Sequence, residues 1–146
     1  MRLLKQHEGK KFEPYLCKGG KWTWGYGRNV EDNPLSVDEV VFVLENLGEP
    51  ETIAEYLLYR DIDRVIGNLQ IMSWWNTLHE ARKAALIDLV FNIGFGSFLQ
   101  FKKTIHALAA GDFERAADEM LDSLWSRQVG KRSVNIAKII RTGEMP

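Results

Sequence analysis

Cysteine is almost absent from this chain of 146 residues, which contains a single one, at position 17. One thiol excludes an intrachain disulfide and fits a protein made in a reducing compartment. Histidine is scarce as well, and the three histidines and one cysteine show no spacing typical of metal ligands. We therefore expect neither a metal nor a cofactor.

An excess of charge of one sign is also missing. The 19 basic and 20 acidic residues leave a formal net charge of -1, which gives no support for nucleic-acid binding through bulk electrostatics. No stretch reaches the roughly 18 apolar residues that a membrane span requires. The first residues include charged side chains and lack the apolar region of a signal peptide. We expect a soluble protein without its own export signal.

What the chain does have is an aromatic, glycine-rich segment near its start. Between residues 15 and 29, Trp22, Trp24 and Tyr26 alternate with smaller residues, and a Gly-Gly pair at positions 19 and 20 precedes them. Period-two alternation bounded by Gly-Gly predicts a β-hairpin. Glycines within such a strand often allow a ligand or another backbone to approach closely.

Most of the remaining chain has helical spacing. We predict a short helix over residues 2–9, a helix from Ser36 to about Leu47, and a long helix over residues 51–69. Further along, the pattern predicts a buried helix over residues 84–93, an amphipathic helix over residues 98–109 and a further helix over residues 113–124. Capping residues are expected in a capping box formed by Thr77 with Glu80, and at Asp112 and Ser133.

These elements predict an α+β fold that is mostly helical, with two lobes. Residues 1–50 would form a small N-terminal lobe with the β-hairpin, residues 51–69 a connecting helix, and residues 70–146 an all-helical C-terminal lobe. A groove for a ligand is expected between two such lobes.

Glu8 is the first candidate for chemistry, because it lies just before the predicted hairpin. A glycoside hydrolase needs a carboxylic acid that is held protonated to assist the leaving oxygen. The alternative is a surface glutamate without a role. Thr23 could hold a water with its hydroxyl, although threonine in a strand often serves only the strand.

Cys17 admits several interpretations. It could be a buried small hydrophobe, as lone cysteines usually are, or a thiol whose pKa a neighbouring cation such as Lys18 or Arg28 lowers. A Cys-His protease dyad is possible on paper, but the sequence around Cys17 does not match a cysteine-protease nucleophile.

Together these residues resemble phage-type lysozymes, the endolysins of glycoside hydrolase family 24. The family signature is Glu, eight residues, Asp or Cys, five residues, and Thr, which falls here on Glu8, Cys17 and Thr23. The resemblance extends over nearly the whole chain. Further segments that resemble family blocks, in the same order, are Asp88–Gly94, Ser123–Trp125, Gly130–Arg132 and Arg141–Gly143.

The resemblance implies roles for particular residues. Glu8 would be the general acid, Thr23 the hydroxyl that positions water, and Cys17 the second catalytic position. Arg132 would pair with Glu8. Arg28, which stands where relatives carry histidine, would form an ion pair with Asp61. The residues expected near the sugar-binding groove are Asn29, Phe91, Asn92 and Thr104.

By the same resemblance, we expect a muramidase that hydrolyses the β-1,4 bond between N-acetylmuramic acid and N-acetylglucosamine in bacterial peptidoglycan, with inversion. The enzyme would be a monomer that collects in the host bacterial cytoplasm. It would depend on a holin for release to the periplasm and cell wall, where it would cause host lysis.

Other functions stay open at this stage. The alternatives are a non-catalytic peptidoglycan-binding module, a structural module of a phage tail and a lytic transglycosylase.

Two departures from the family bear on the choice. Cysteine replaces the commoner aspartate at position 17. The near-neutral charge differs from that of strongly basic relatives, which implies that attraction to anionic walls is weaker or confined to the groove.

Overall fold

A computed structural model describes residues 2–16 and 22–146. Cys17 and the Gly-Gly pair of the predicted hairpin lie outside these residues. The described residues form α1 (Arg2–Glu8), β1 (Lys11–Leu16), β2 (Trp22–Gly25), β3 (Arg28–Asn29), α2 (Val37–Glu45), α3 (Pro50–Leu69), a 3-10 turn (Trp75–Thr77), α4 (Glu80–Ile93), α5 (Phe95–Phe98), α6 (Lys102–Ala109), α7 (Phe113–Leu121), α8 (Leu124–Val129) and α9 (Lys131–Thr142).

The predicted class, α+β and mostly helical, is confirmed. The chain divides into two compact units, Met1–Asp63 and Arg64–Pro146, and the boundary falls within α3. The long helix predicted over residues 51–69 is present as α3. The division into lobes at residues 50 and 69 stays a prediction.

The first unit contains an antiparallel sheet in the order β1-β2-β3. Tyr15 pairs with Thr23, and Thr23 in turn pairs with Asn29. The register between β1 and β2 is irregular between Lys11 and Tyr15. Pro14 lies in that stretch and lacks the N–H that a regular ladder requires. Strand β1 thus begins earlier than the predicted hairpin, and β3 adds a strand that the pattern did not indicate.

A tight turn joins β2 to β3. Gly25 and Gly27 have φ angles of 66° and 77°, a region that residues with a Cβ rarely adopt. Tyr26, between them, is buried. A Cβ built on Gly25 would lie 3.4 Å from the Cβ of Ala54 on α3, so the sheet contacts this helix through glycine.

Helices α1 and α3 supply the apolar core of the first unit. Leu3 and Leu4 are buried on α1. In the part of α3 that belongs to this unit, the buried apolar side chains are Ile53, Ala54, Leu57 and Leu58, which follow helical spacing. An ion pair between Lys5 and Glu55 joins α1 to α3.

A capping box begins α2. The Ser36 hydroxyl accepts a hydrogen bond from the backbone N–H of Glu39, and the Glu39 carboxylate accepts one from the backbone N–H of Ser36. The helix predicted from Ser36 is therefore present, with its N-terminus fixed by local chemistry.

In the second unit, α9 packs against α4 and α7, and α6 packs against α7. The buried helix predicted over residues 84–93 is confirmed, because α4 buries Leu86 and Leu89 completely. Helix α9 contributes Ile136, Ile139 and Ile140 to the same core. None of the helices formed by residues 2–16 and 22–146 is long and apolar enough to cross a membrane.

Two capping predictions are wrong. His79, not Thr77, is the N-cap of α4, and the Thr77 hydroxyl donates to the carbonyl of Trp74 instead. Ser133 lies inside α9 rather than at its start, because Gly130, with a φ of 57°, begins that helix three residues earlier. The Ser133 hydroxyl is buried and donates to the Gly130 carbonyl.

The helices predicted over residues 98–109 and 113–124 are also shorter than expected. The first is replaced by α5, a break, and α6, and the second ends at Leu121 before α8. The predicted cap at Asp112 is confirmed, since its carboxylate accepts from the backbone N–H of Arg115 at 3.1 Å. Ser123 caps α8 in the same manner.

Candidate active site

Glu8 is the last residue of α1, and its side chain is partly buried. Its carboxyl group lies against the turn between β2 and β3. A Cβ built on Gly27 would lie 2.5 Å from Glu8 Oε2 and 2.9 Å from Glu8 Cδ. A Cβ at position 27 would require the Glu8 carboxyl group to move, so glycine is what allows that group to lie against the backbone here.

Thr23 lies on β2, in the same unit as Glu8, and is 2% exposed. Its backbone pairs with Asn29 on β3. The Asn29 side chain is committed to the local turn, because its Oδ1 accepts from the backbone N–H groups of Glu31 and Asp32. The structure therefore brings Glu8, Thr23 and Asn29 into one unit. Their catalytic and sugar-binding roles stay predictions.

Arg28, next to Asn29, is the centre of a buried polar cluster. The ion pair expected between Arg28 and Asp61 is present, with 2.9 Å between Arg28 Nη1 and Asp61 Oδ1. A second carboxylate, that of Glu39, accepts from both terminal nitrogens of Arg28 at 2.9 and 3.0 Å. Such a two-point contact is the stronger geometry for arginine and carboxylate.

Every N–H donor of this guanidinium has an acceptor. Beyond the two carboxylates, Arg28 Nε donates to the carbonyl of Asn33 and Arg28 Nη2 to the carbonyl of Pro34. Together with the three carboxylate contacts, these use all five donors that arginine has. The cluster thus ties β3 to α2 and α3 within the first unit.

The charge on Arg28 controls the ionisation of Glu39. Hydrogen bonds from Arg28 lower the pKa of Glu39 from 4.5 to about 2, against the opposing effect of burial. Glu39 is therefore ionised throughout the neutral and mildly acidic range. Buried carboxylates that are paired in this manner usually support structure rather than proton transfer.

In the second unit, Phe91 and Asn92 lie near the end of α4, where Phe91 is partly buried and Asn92 is exposed. The Oδ1 atom of Asn92 accepts a hydrogen bond from the indole N–H of Trp125 at 2.6 Å. This bond joins α4 to α8 and orients the Asn92 amide. The Trp125 ring in turn contacts the ring of Phe101 edge-on.

Arg132, on α9, donates from Nε to Asp88 Oδ1 at 2.8 Å. Asp88 lies on α4 and is fully buried. The pair therefore links the two helices inside the second unit. The pairing of Arg132 with Glu8 that the resemblance implies stays a prediction.

Thr104 is 2% exposed on α6. Burial of this kind favours a packing role, and the assignment of Thr104 to sugar binding stays a prediction.

Cys17, the second catalytic position, lies outside the described residues, so its role also rests on the resemblance. Within residues 2–16 and 22–146, no three histidine or acidic side chains gather as a metal ion would require.

Three residues that take part in these hydrogen-bond networks were not among the site residues predicted from the sequence. Glu39 was missed because its spacing to Arg28 and Asp61 has no local pattern, although its position three residues after Ser36 indicates a cap. Asp88 carried a better signal, since an acid within an apolar helix requires a partner. Trp125 gave no signal for its bond to Asn92.

Comparison with known proteins identifies the class. The family model described as phage lysozyme matches residues 5–141. A protein named "Probable T4-type lysozyme 2" from Dictyostelium discoideum is 29% identical, over 98% of this chain and 94% of its own length. A protein named "Endolysin" from Acyrthosiphon pisum secondary endosymbiont phage 1 is 30% identical, over 90% of this chain and 81% of its own length.

A larger protein also contains a segment similar to this chain. The "Pre-baseplate central spike protein Gp5" of Enterobacteria phage T4 is 28% identical over 98% of this chain, but the match covers 28% of the spike protein. The chain belongs to the phage lysozyme family. It is accordingly an enzyme of the lysozyme type, a hydrolase whose substrate is the peptidoglycan of cell walls.

Proposed function

We propose that this enzyme is a muramidase that hydrolyses the β-1,4 bond between N-acetylmuramic acid and N-acetylglucosamine. The observation that carries the proposal is the position of Glu8 in a chain of this family. Its carboxyl group lies at the end of α1 and against the backbone of Gly27. The helix end and the glycine turn give the group a defined position, as a general acid requires.

In this mechanism Glu8 donates a proton to the oxygen that leaves when the glycosidic bond breaks. A water attacks the sugar from the opposite face, which gives inversion at the anomeric carbon. The Thr23 hydroxyl and Cys17 hold or activate this water. The buried position of Thr23 on β2 supports a fixed orientation for its hydroxyl.

Asn29, Phe91, Asn92 and Thr104 are proposed to line the sugar-binding site, and Arg132 to support Glu8. The bond from Trp125 that orients the Asn92 amide supports a binding role for that amide. The Arg28–Asp61 pair is proposed to hold β3, and with it the backbone partner of Thr23, in register.

Mass analysis of digested wall tests the reaction. Purified peptidoglycan would be treated with the enzyme, reduced with borohydride and analysed by mass spectrometry. A muramidase releases fragments with reducing N-acetylmuramic acid ends, which borohydride converts to the alcohol. Anhydro-muramic ends would identify a lytic transglycosylase instead. Binding to the wall without any release would identify a non-catalytic module.

We further propose that the enzyme serves host lysis as a monomer, and that it waits in the bacterial cytoplasm until a holin admits it to the periplasm. The relative named "Endolysin" supports this order of events. Expression in bacteria with and without a holin tests it. Lysis that is equally fast without the holin would contradict the dependence.

A further inference from the structure

Helix α2 exposes an apolar stripe to solvent. Val37, Val40, Val41 and Leu44 are between 41% and 80% exposed, and Leu47, just after the helix, is 70% exposed. The spacing of the first four is i, i+3, i+4 and i+7, which places them within about 100° of arc on one helix face. A stripe of that width is typical of a helix face that is covered. We call these five residues the α2 stripe.

The ion pair and the aromatic stack that attach α2 to its own unit lie on the face of the helix opposite the stripe. Glu39 lies on the opposite face of the helix, where it is 1% exposed and paired with Arg28. Phe42 stacks on Tyr56 of α3, with 3.8 Å between the ring centroids. These contacts fix the face of α2 that carries Glu39 and Phe42, whereas the apolar face stays between 41% and 80% exposed.

The stripe lies in an acidic stretch of the chain, and Arg60, directly after that stretch, faces Glu39 on the opposite side of α2. Residues 29–59 contain no lysine, arginine or histidine, and their acidic residues are Glu31, Asp32, Asp38, Glu39, Glu45, Glu49, Glu51 and Glu55. The structure pairs Glu39, Glu51 and Glu55 with cations of the same unit. Asp38 and Glu45 are exposed and, seven residues apart, lie along one edge of the stripe.

The acidic residues along the edge of the stripe, Asp38 and Glu45, determine which kind of partner fits this face of α2. A second copy that docked through the same face would place acid against acid, because a two-fold interface brings a patch onto itself. A membrane surface of anionic lipid and the anionic cell wall would be repelled for the same reason. A helix with an apolar face and basic flanks satisfies both the stripe and its border.

We propose that the α2 stripe docks a basic amphipathic helix of another protein. Apolar side chains of that helix cover Val37, Val41 and Leu44, while its lysines or arginines face Asp38 and Glu45. The inference goes beyond the proposed muramidase activity and does not depend on it, since none of these residues belongs to the proposed catalytic machinery.

A designed peptide pair tests the proposal. The probe is an 18-residue helix with leucine at i, i+3, i+4 and i+7 spacing and lysine elsewhere. The reference peptide has the same composition in an order that destroys the apolar face. Fluorescence anisotropy would measure binding of each to the native protein. It would also measure binding to Val41→Ser/Leu44→Ser and to a control, Leu124→Ser/Val134→Ser. The residues replaced in the control lie in the second unit and have similar exposure.

The native protein and the control should bind the probe at least about ten-fold more tightly than Val41→Ser/Leu44→Ser does, because two apolar contacts are lost. The reference peptide should bind at least about ten-fold more weakly than the probe. Raising NaCl from about 0.05 M to about 0.5 M should weaken probe binding several-fold. Hydrogen exchange on the native protein should slow at residues 37–47 when the probe binds, a result that needs no variant.

Three results would overturn the proposal. Equal binding of probe and reference, or of native protein and stripe variant, would show that only net charge is recognised. Binding of the native protein to vesicles of phosphatidylglycerol and phosphatidylethanolamine at the same concentration would assign the face to a membrane. A concentration-dependent dimer that Val41→Ser/Leu44→Ser abolishes would assign it to a second copy.

Discussion

Replacement of Glu39 by glutamine tests the buried cluster around Arg28. The change keeps the size of the side chain but removes its charge. One amide oxygen can still accept from Arg28 Nη2 and from the backbone N–H of Ser36, as Glu39 Oε1 does at 2.9 Å to each. The amide NH₂ would then face Arg28 Nη1, which now donates to Oε2 at 3.0 Å. Two donors would meet in a site that water does not reach.

The magnitude follows from the pKa of Glu39. A shift from 4.5 to about 2 corresponds to about 3 kcal/mol of free energy of unfolding, at about 1.4 kcal/mol per pKa unit. Breaking a buried pair by removing one partner typically costs about 3–5 kcal/mol. Asp61 still faces Arg28 in the variant, so the lower end of that range is expected.

The effect has a defined pH dependence. The pKa of Glu39 is lower in the folded protein than in the unfolded chain, so its ion pair contributes full stability above pH 4.5. That contribution is lost as the pH falls from about 4.5 towards about 2. The free energy of unfolding of the native protein should therefore exceed that of Glu39→Gln by about 3 kcal/mol at pH 7. This difference should shrink steadily below pH 4.5.

Urea unfolding followed by circular dichroism at several pH values measures this difference. Glu45→Gln is a matched control, since it makes the same change at an exposed position of the same helix. The control should change stability by less than about 0.5 kcal/mol. A Glu39→Gln difference below about 1 kcal/mol, or one that stays constant from pH 7 to pH 2.5, would refute the reasoning.

Three further predictions concern the candidate site. Gly27→Ala should lower wall hydrolysis by about 10²-fold, because the new Cβ would displace the Glu8 carboxyl group. Gly48→Ala is the control, because Gly48 has a φ of 88° and a Cβ added there would have no neighbour within 4 Å. This variant should lose similar stability in thermal unfolding but keep full activity. Equal activity of the two variants would contradict the role of the contact between Gly27 and Glu8. Cys17→Asp should keep substantial activity in a turbidity assay and Cys17→Ala should lose most of it, whereas an alanine variant as active as the native protein would remove the thiol from the mechanism. Asp88→Asn should lower the free energy of unfolding by about 2 kcal/mol, because the partly buried Arg132 loses its counter-charge, and an unchanged urea midpoint would contradict this.

Local patterns predicted the elements whose signals are contained in a few residues. Alternating aromatics marked β2, and Asp112 marked the start of α7 because its carboxylate reaches a backbone N–H only three residues away. Ser133 and Thr77 are the same kind of residue in similar positions, yet neither caps a helix. Their hydroxyls bond to preceding carbonyls instead, a choice that depends on how the surrounding helices pack.

The same distinction between local signals and interactions that depend on packing applies to the candidate site. The fixed spacing of Glu8 and Thr23 is a short-range signal, and both residues fall in one compact unit. The contact of Glu8 with Gly27 depends on how α1 meets the sheet, which no local pattern encodes. Glu39 joins the cluster through an interaction across the unit, so its role emerges only when helix α2 is in place.

The central claim, that Glu8 supplies the catalytic proton, is tested most directly by Glu8→Gln. The rate of release of reducing muropeptides from purified peptidoglycan would be measured for this variant and for Glu144→Gln, an exposed control. The amide keeps the shape of the side chain but cannot donate a carboxylic proton. We predict a loss of at least about 10²-fold for Glu8→Gln, with an unchanged melting curve and an unaffected control. A folded Glu8→Gln protein that releases muropeptides within a few-fold of the native rate would contradict the account.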